Sequence, residues 1–154
     1  AVAGLVGVTP AAGFVSPASG MLIGALTSVF CYLSVQIKIK LSFDDSLDTF
    51  AVHGVGGTVG ALLTGVFAKA DLIASHPAGI VLEEQGRAGL ILGQFQAVLI
   101  AYGIAAFGTL IIAFFLKSLG CNFRVNAKEE LSGLDVSQHG EEDYGEKTGS
   151  PSAV

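Results

Sequence analysis

No Asp, Glu, Lys, Arg or His precedes Lys38, and none lies between Arg87 and Lys117. A helix facing water needs a polar stripe along its outer surface, so charge-free runs of this length point to helices whose outer surface meets lipid. Residues 17–37 give about 21 uncharged positions, roughly 31 Å as an α-helix, which matches the hydrocarbon core of a bilayer. Residues 88–116 give about 29, roughly 43 Å, so that helix must tilt, bend or project past the lipid. Gly103 and Gly108 are where a bend costs least.

Composition agrees with this pattern. Of 154 residues, 51% are hydrophobic and 14% charged, where a soluble domain carries about a quarter charged; the mean hydropathy is +0.66. The net charge of −5 resides largely in the segment after Lys128, and no basic face exists that could hold nucleic acid. Cys31 and Cys121 show neither metal-ligand spacing nor a disulfide framework and read as small inert thiols. His76 and His139 lack a second ligand at metal spacing. The Gly54-Val55-Gly56-Gly57 run lacks both the GxGxxG spacing and a preceding strand, so it is no nucleotide loop. No cofactor is expected.

The expected fold class is all-α, a polytopic transmembrane helix bundle. Residues 1–9 are too short to span and read as the end of a helix whose beginning is absent. Ser16-Pro17 suits a helix start, a serine cap followed by proline at the first position, and Lys38 and Lys40 close that helix. The short connection from Lys38 to Asp44 requires the next helix to return antiparallel. That helix is expected over about 46–68, with Asp45 or Ser46 as cap and Asp48 in its first turn. The polar stretch 69–87, rich in acids, Pro and Gly, reads as an aqueous loop, and about 88–116 as the last span. Together residues 1–118 form the membrane part. Residues 119–154 form a tail with disorder expected after about residue 144.

His53 lies roughly 10 Å inside the third apolar helix, where an ionisable group is costly unless it meets a partner or a water-filled path. It is read as facing a conduction path, although periodicity alone does not separate this from a core histidine bonded to a neighbouring helix. Two lines of small residues, Gly56-Gly60-Thr64 and Gly57-Ala61-Gly65, recur at four-residue spacing and would let backbones approach closely in lipid. In water so many glycines would make a poor helix, at about 1 kcal/mol each.

Three runs, GLVGVTPAAG over 4–13, DDSLDTFAVHGVGG over 44–57 and GLDVSQHGE over 133–141, together resemble the ammonium transporter (Amt) family, in the family's order. The resemblance implies a fragment of an eleven-helix ammonium transporter fold, from the end of helix eight through helix eleven and the cytoplasmic tail. It implies that His53 is the second member of a pore histidine pair, that Thr49 and Asp48 belong to the substrate path near its inner end, and that Thr9 ends helix eight. Gly56, Gly57, Gly60 and Gly65 would serve helix packing. Gly133, Leu134, Asp135, His139, Gly140 and Glu141 would form a regulatory tail contacting neighbouring subunits of a homotrimer and a PII-type signalling protein. Ala51 departs from the family, in which many members carry glycine there. The first pore histidine, an external aromatic site and a phenylalanine gate would lie upstream of Ala1, so the chain alone is not expected to conduct.

The implied activity is transport of ammonium or ammonia in nitrogen uptake, with no covalent chemistry and therefore no enzyme. Ammonium is costly to desolvate in a narrow apolar path and ammonia is not, and a neutral imidazole can donate through one nitrogen and accept through the other. Desolvation favours that neutral form. The alternatives are an ammonium sensor or signalling subunit of the same family, a Rhesus-type ammonia channel, or a helical assembly subunit whose glycine faces serve only packing. Asp48 also reads as a capping or dipole-complementing acid.

Lys38, Lys40, Lys117, Arg124 and Lys128 lie on one side of the expected topology, and Lys69 and Arg87 on the other. The positive-inside bias places the first group and the tail in the cytoplasm of a multi-pass cell-membrane protein. Protease added to the outer face of sealed cells should therefore leave the tail intact, and digestion of the tail from that face would reverse the topology.

Overall fold

The computed structural model describes residues 1–134 and 138–140, all of whose regular elements are helical. In order these are α1 (Val2–Val8), a 3-10 turn (Thr9–Ala11), α2 (Pro17–Lys40), a π-helical turn (Phe50–Val55), α3 (Gly56–Phe67), α4 (Ala70–Ile73), α5 (Pro77–Ser118) and α6 (Ala127–Ser132). Among the described residues three helical stretches are long and apolar enough to cross a membrane, Pro17–Lys40, Phe50–Phe67 and Pro77–Ser118. The described residues fall into two compact units that divide after Ala106.

In the first unit α2 starts at Pro17, and Ser16 Oγ accepts the Ser19 N–H at 3.3 Å. Only Ile23, Thr27 and Cys31 of this helix are buried. They stand four residues apart and so form one narrow stripe, while Met21, Val29, Phe30, Tyr32 and Leu33 are exposed. A helix that buries so little of its apolar surface is suited to lipid on its remaining sides.

Glycines set how closely α1, α2 and α3 approach. A Cβ on Gly60 would lie 2.2 Å from the Gly7 carbonyl oxygen and 2.9 Å from Gly7 Cα, so backbone rests on backbone there. A Cβ on Gly7 would lie 2.2 Å from Thr27 Oγ1, and one on Gly4 would lie 3.1 Å from the Gly24 carbonyl oxygen. Gly56, Gly60 and Thr64 are all buried, so the first small-residue line is the packing seam toward α1 and α2. The second line divides. Gly65 packs on Ile91 and Gln94 of α5, whereas a Cβ at Gly57 would meet nothing within 4 Å. The packing role expected for Gly57 is therefore not seen within this chain.

Two elements differ from the sequence expectation. The third helix begins near Phe50 rather than 46, because Asp48 takes a positive φ of 54°, which an α-helix cannot include. The stretch 69–87, read as a loop, is mostly helical: α4 and the first turns of α5 occupy it, and the break in α5 falls at Gly86 (φ 68°, ψ −169°). Only glycine enters that backbone region readily. The bend thus sits at the polar end of the helix, leaving Gly103 and Gly108 in regular helix. Arg87, just past it, donates to the carbonyls of Ala68 and, at 3.4 Å, of Gly65. These are terminal carbonyls of α3 that a cation satisfies well. Lys69 and Asp71 pair at 3.0 Å, and this hydrogen bond holds the Asp71 carboxyl below the usual carboxylate range. Both side chains are exposed, so the pair adds little to stability.

In the second unit α5 ends in a Schellman motif, with Gly120 at φ 85°, its N–H on Lys117 O at 3.0 Å and the Cys121 N–H on Leu116 O at 3.1 Å. A capping box opens α6: Asn126 Oδ1 accepts from the N–H of Lys128 and Glu129 at 3.1 and 3.0 Å, and Glu129 Oε2 accepts the Asn126 N–H at 3.3 Å. The disorder expected after about residue 144 lies outside the described residues.

The packing seam gives a paired test. Gly60→Ala should destabilise the helix assembly by about 1–3 kcal/mol, the cost of overpacking. Gly57→Ala should be neutral or stabilising by up to about 1 kcal/mol through helix propensity. Equal unfolding midpoints for the two variants in detergent would contradict the seam.

Candidate functional site

The site is built from the start of the Phe50–Phe67 span. Asp45 caps it from four and five residues upstream, its Oδ1 and Oδ2 accepting the N–H groups of Thr49 and Phe50 at 2.9 Å each. Lys38 of α2 donates to both the Asp45 carbonyl and the Asp48 carboxylate. Its side chain is 15% exposed and that of Asp48 39%, so the pair is partly shielded from water and fixes the left-handed Asp48 where the chain turns into the helix. An acid was expected inside the first turn; the structure puts Asp48 before the helix, as an anchor, and gives the capping to Asp45.

The helix then opens as a π turn over Phe50–Val55. Such turns are rare and concentrate where a helix must present a group off its regular face. The Phe50 ring lies over Gly54, where a Cβ would come within 3.0 Å of ring carbon Cδ2, and it meets the Phe43 ring at 6.3 Å. On the opposite side Ala51 is buried and the Cys31 thiol lies 3.8 Å from the Val52 carbonyl.

His53 sits in this turn and is exposed, on the wall of a cleft of about 390 Å³. Among the described residues its imidazole has no hydrogen-bond partner. Gly54, Gly57, Thr58 and Ala61 continue that wall, and Ala97, Val98, Ala101, Tyr102 and Ala105 of α5 form the other. Thr49 and Asp48 do not line the cleft; they stand at the helix start. Small side chains leave the space between the two walls unfilled, and Gly57 has open space beside it.

One polar cluster crosses the cleft. Tyr102 Oη donates to the Gly54 carbonyl at 3.1 Å, Thr58 Oγ1 donates to the same oxygen at 2.7 Å, and the two hydroxyls are 2.8 Å apart. Neither Tyr102 nor Thr58 was among the expected site residues. A signal existed: a tyrosine in the charge-free run 88–116 needs a partner for its hydroxyl, and the nearest apolar helix offers threonines. Beyond α3, the His76 ring meets the Phe14 ring edge-on at 5.1 Å and its Nδ1 accepts the Ala78 N–H at 3.1 Å. It serves to start α5.

Of the tail residues, Leu134 and His139 border a groove in the second unit together with Arg124 and Glu129, and Gly133 and Gly140 take positive φ. Asp135 and Glu141 lie outside the described residues. Among the described residues no three His, Cys, Asp or Glu side chains gather as metal ligands would.

A sequence profile described as the Ammonium Transporter Family matches residues 1–144. The chain is 39% identical over 145 residues to the ammonium transporter of Bacillus subtilis (strain 168), covering 94% of this chain and 35% of that protein. It is 38% identical over 144 residues to ammonium transporter Amt1 of Archaeoglobus fulgidus, again with 94% of this chain and 35% of the relative covered. Among solved structures it is similar to the crystal structure of Saccharomyces cerevisiae Mep2, with a TM-score of 0.61 and 35% identity, over 97% of this chain and 34% of that one. The chain thus spans about a third of the length of the relatives it matches.

The capping arrangement can be tested directly. Asp45→Ala should lower stability by about 1 kcal/mol, the usual worth of an N-terminal cap, and Asp45→Asn should recover part of it. An unchanged unfolding midpoint for Asp45→Ala would contradict the cap.

Proposed function

The chain belongs to the ammonium transporter family, and from that premise we propose that it forms one side of an ammonium-conducting path as the C-terminal part of a longer transporter. The observation that carries this reading is the position of His53, a titratable group without a partner among the described residues, on the wall of a cleft in an otherwise apolar span. In a bilayer such a group is retained only where it meets a partner or a path.

The path strips ammonium of water, which the charged form resists and the neutral form does not. His53 takes part by accepting or donating one hydrogen bond to the passing ammonia, and a second imidazole from the rest of the protein completes the pair. A proton given up by ammonium is handed along such a pair. The molecule lowers a desolvation barrier and makes or breaks no covalent bond to carbon, so it is a transporter and not an enzyme. Asp48 and Thr49 act at the inner mouth by fixing where the histidine-bearing helix begins.

The exposed apolar surfaces of α2 and α5 suit lipid and further helices, in keeping with a homotrimer in the cell membrane. By the distribution of lysine and arginine the C-terminus lies in the cytoplasm, where the segment from Gly133 to Glu141 docks a PII-type signalling protein.

Replacing His53 with leucine in the intact protein, reconstituted in liposomes, should lower ammonium flux about tenfold or more, equivalent to roughly 1.4 kcal/mol on the barrier, or else abolish discrimination against other monovalent cations. Unchanged flux with unchanged selectivity would overturn the reading.

A further inference from the structure

We propose that the hydroxyls of Tyr102 and Thr58 form a second recognition point in the His53 cleft, an acceptor station for a solute rich in N–H donors. This rests on the reading of the cleft as a conduction path and adds to it a residue pair on α5 and α3 that does not depend on a histidine.

The argument is a count of protons. Three oxygens, Gly54 O, Thr58 Oγ1 and Tyr102 Oη, form a triangle with edges of 2.7, 3.1 and 2.8 Å. The carbonyl brings no proton and each hydroxyl brings one. Three edges therefore share two protons, and both are used inside the triangle. The distances let both hydroxyl protons be donated within the triangle, to the carbonyl or from one hydroxyl to the other, and in that arrangement no proton points into the cleft.

What remains is acceptor capacity. Each hydroxyl oxygen has two lone pairs, and those not used within the triangle are available to the cleft that both side chains line. Tyr102 is 41% exposed, so its oxygen is reachable. The rest of the cleft wall is Gly, Ala and Val apart from His53 and offers no competing side-chain acceptor. Ammonium has four N–H groups and no lone pair, and ammonia has three N–H groups; a site that only accepts matches either. Hydroxyl lone pairs also coordinate monovalent metal ions, so the station distinguishes solutes that bring donors or positive charge from solutes that bring only acceptors.

The test uses the intact protein in liposomes, with ammonium and methylammonium as probes. Tyr102→Phe and Thr58→Val each delete one hydroxyl at nearly constant shape. Each should raise the concentration for half-maximal ammonium flux about three- to tenfold, the worth of one hydrogen bond, while the maximal rate changes less than about twofold. Thr58→Ser should restore most of what Thr58→Val loses. Methylammonium, with one N–H fewer, should show a smaller shift.

A drop in maximal rate at unchanged half-saturation would mean that the hydroxyls only tie α3 to α5, and would overturn the station. So would unchanged kinetics in both variants. If Tyr102→Phe fails to insert, the Thr58 pair decides alone, since it leaves the aromatic packing intact. A silent Tyr102 and Thr58 with an active His53 effect would remove the station and leave the path; a silent His53→Leu would remove the path reading, and with it the station unless both hydroxyl variants still shift half-saturation.

Discussion

The contact on which the rest is arranged is Gly60 lying against the carbonyl of Gly7, with no side chain between them. At that separation a Cβ on Gly60 would collide with the Gly7 backbone, so α3 reaches α1 there only because residue 60 is glycine, while glycine at position 7 leaves room for Thr27 of α2. Thr27 of α2 fills the third side, fully buried. Such a junction has little apolar area to stabilise it in water. In lipid, where backbone polar groups must already be paired within each helix, close approach and dispersion suffice to associate helices.

The seam has a consequence for the histidine. In an unbroken α-helix residues three, four and seven apart share a face. His53 would then line up with Gly56 and Gly60 and be pressed toward α1. The π turn prevents this. Each residue of a π turn advances less than the roughly 100° of an α-helix, which shifts His53 relative to Gly56, and the ring stands on the cleft wall. Asp45 and the Lys38–Asp48 pair hold the start of that turn, and Thr58 and Tyr102 hold the Gly54 carbonyl at its far side. The two ends of the turn are thus fixed from α2 and from α5.

Much of this could be read from the residues. The helical spans, the serine–proline start of α2 and the small-residue seam follow from charge distribution and spacing, because lipid exposure and close packing each leave a mark at single positions. What could not be read depends on backbone winding or on partners distant in sequence. Asp48 gives no local sign of its left-handed φ, which is set by Lys38 across the α2–α3 turn. The stretch 69–87 is polar, and polarity alone does not distinguish a loop from short helical segments. Tyr102 and Thr58 are 44 residues apart, and only their packing makes them a pair. The π turn around His53 leaves no mark in the residue pattern, so periodicity alone does not separate a cleft-wall histidine from a packed one.

The most direct measurement is an experimental structure of the intact protein in lipid at a resolution that shows side chains and ordered water. The expected result is a passage continuous past the His53 ring, with a second imidazole close enough to share a hydrogen bond and the alanine face of α5 bordering the same space. A cleft filled by packed apolar side chains, or an imidazole turned into the lipid, would contradict the reading.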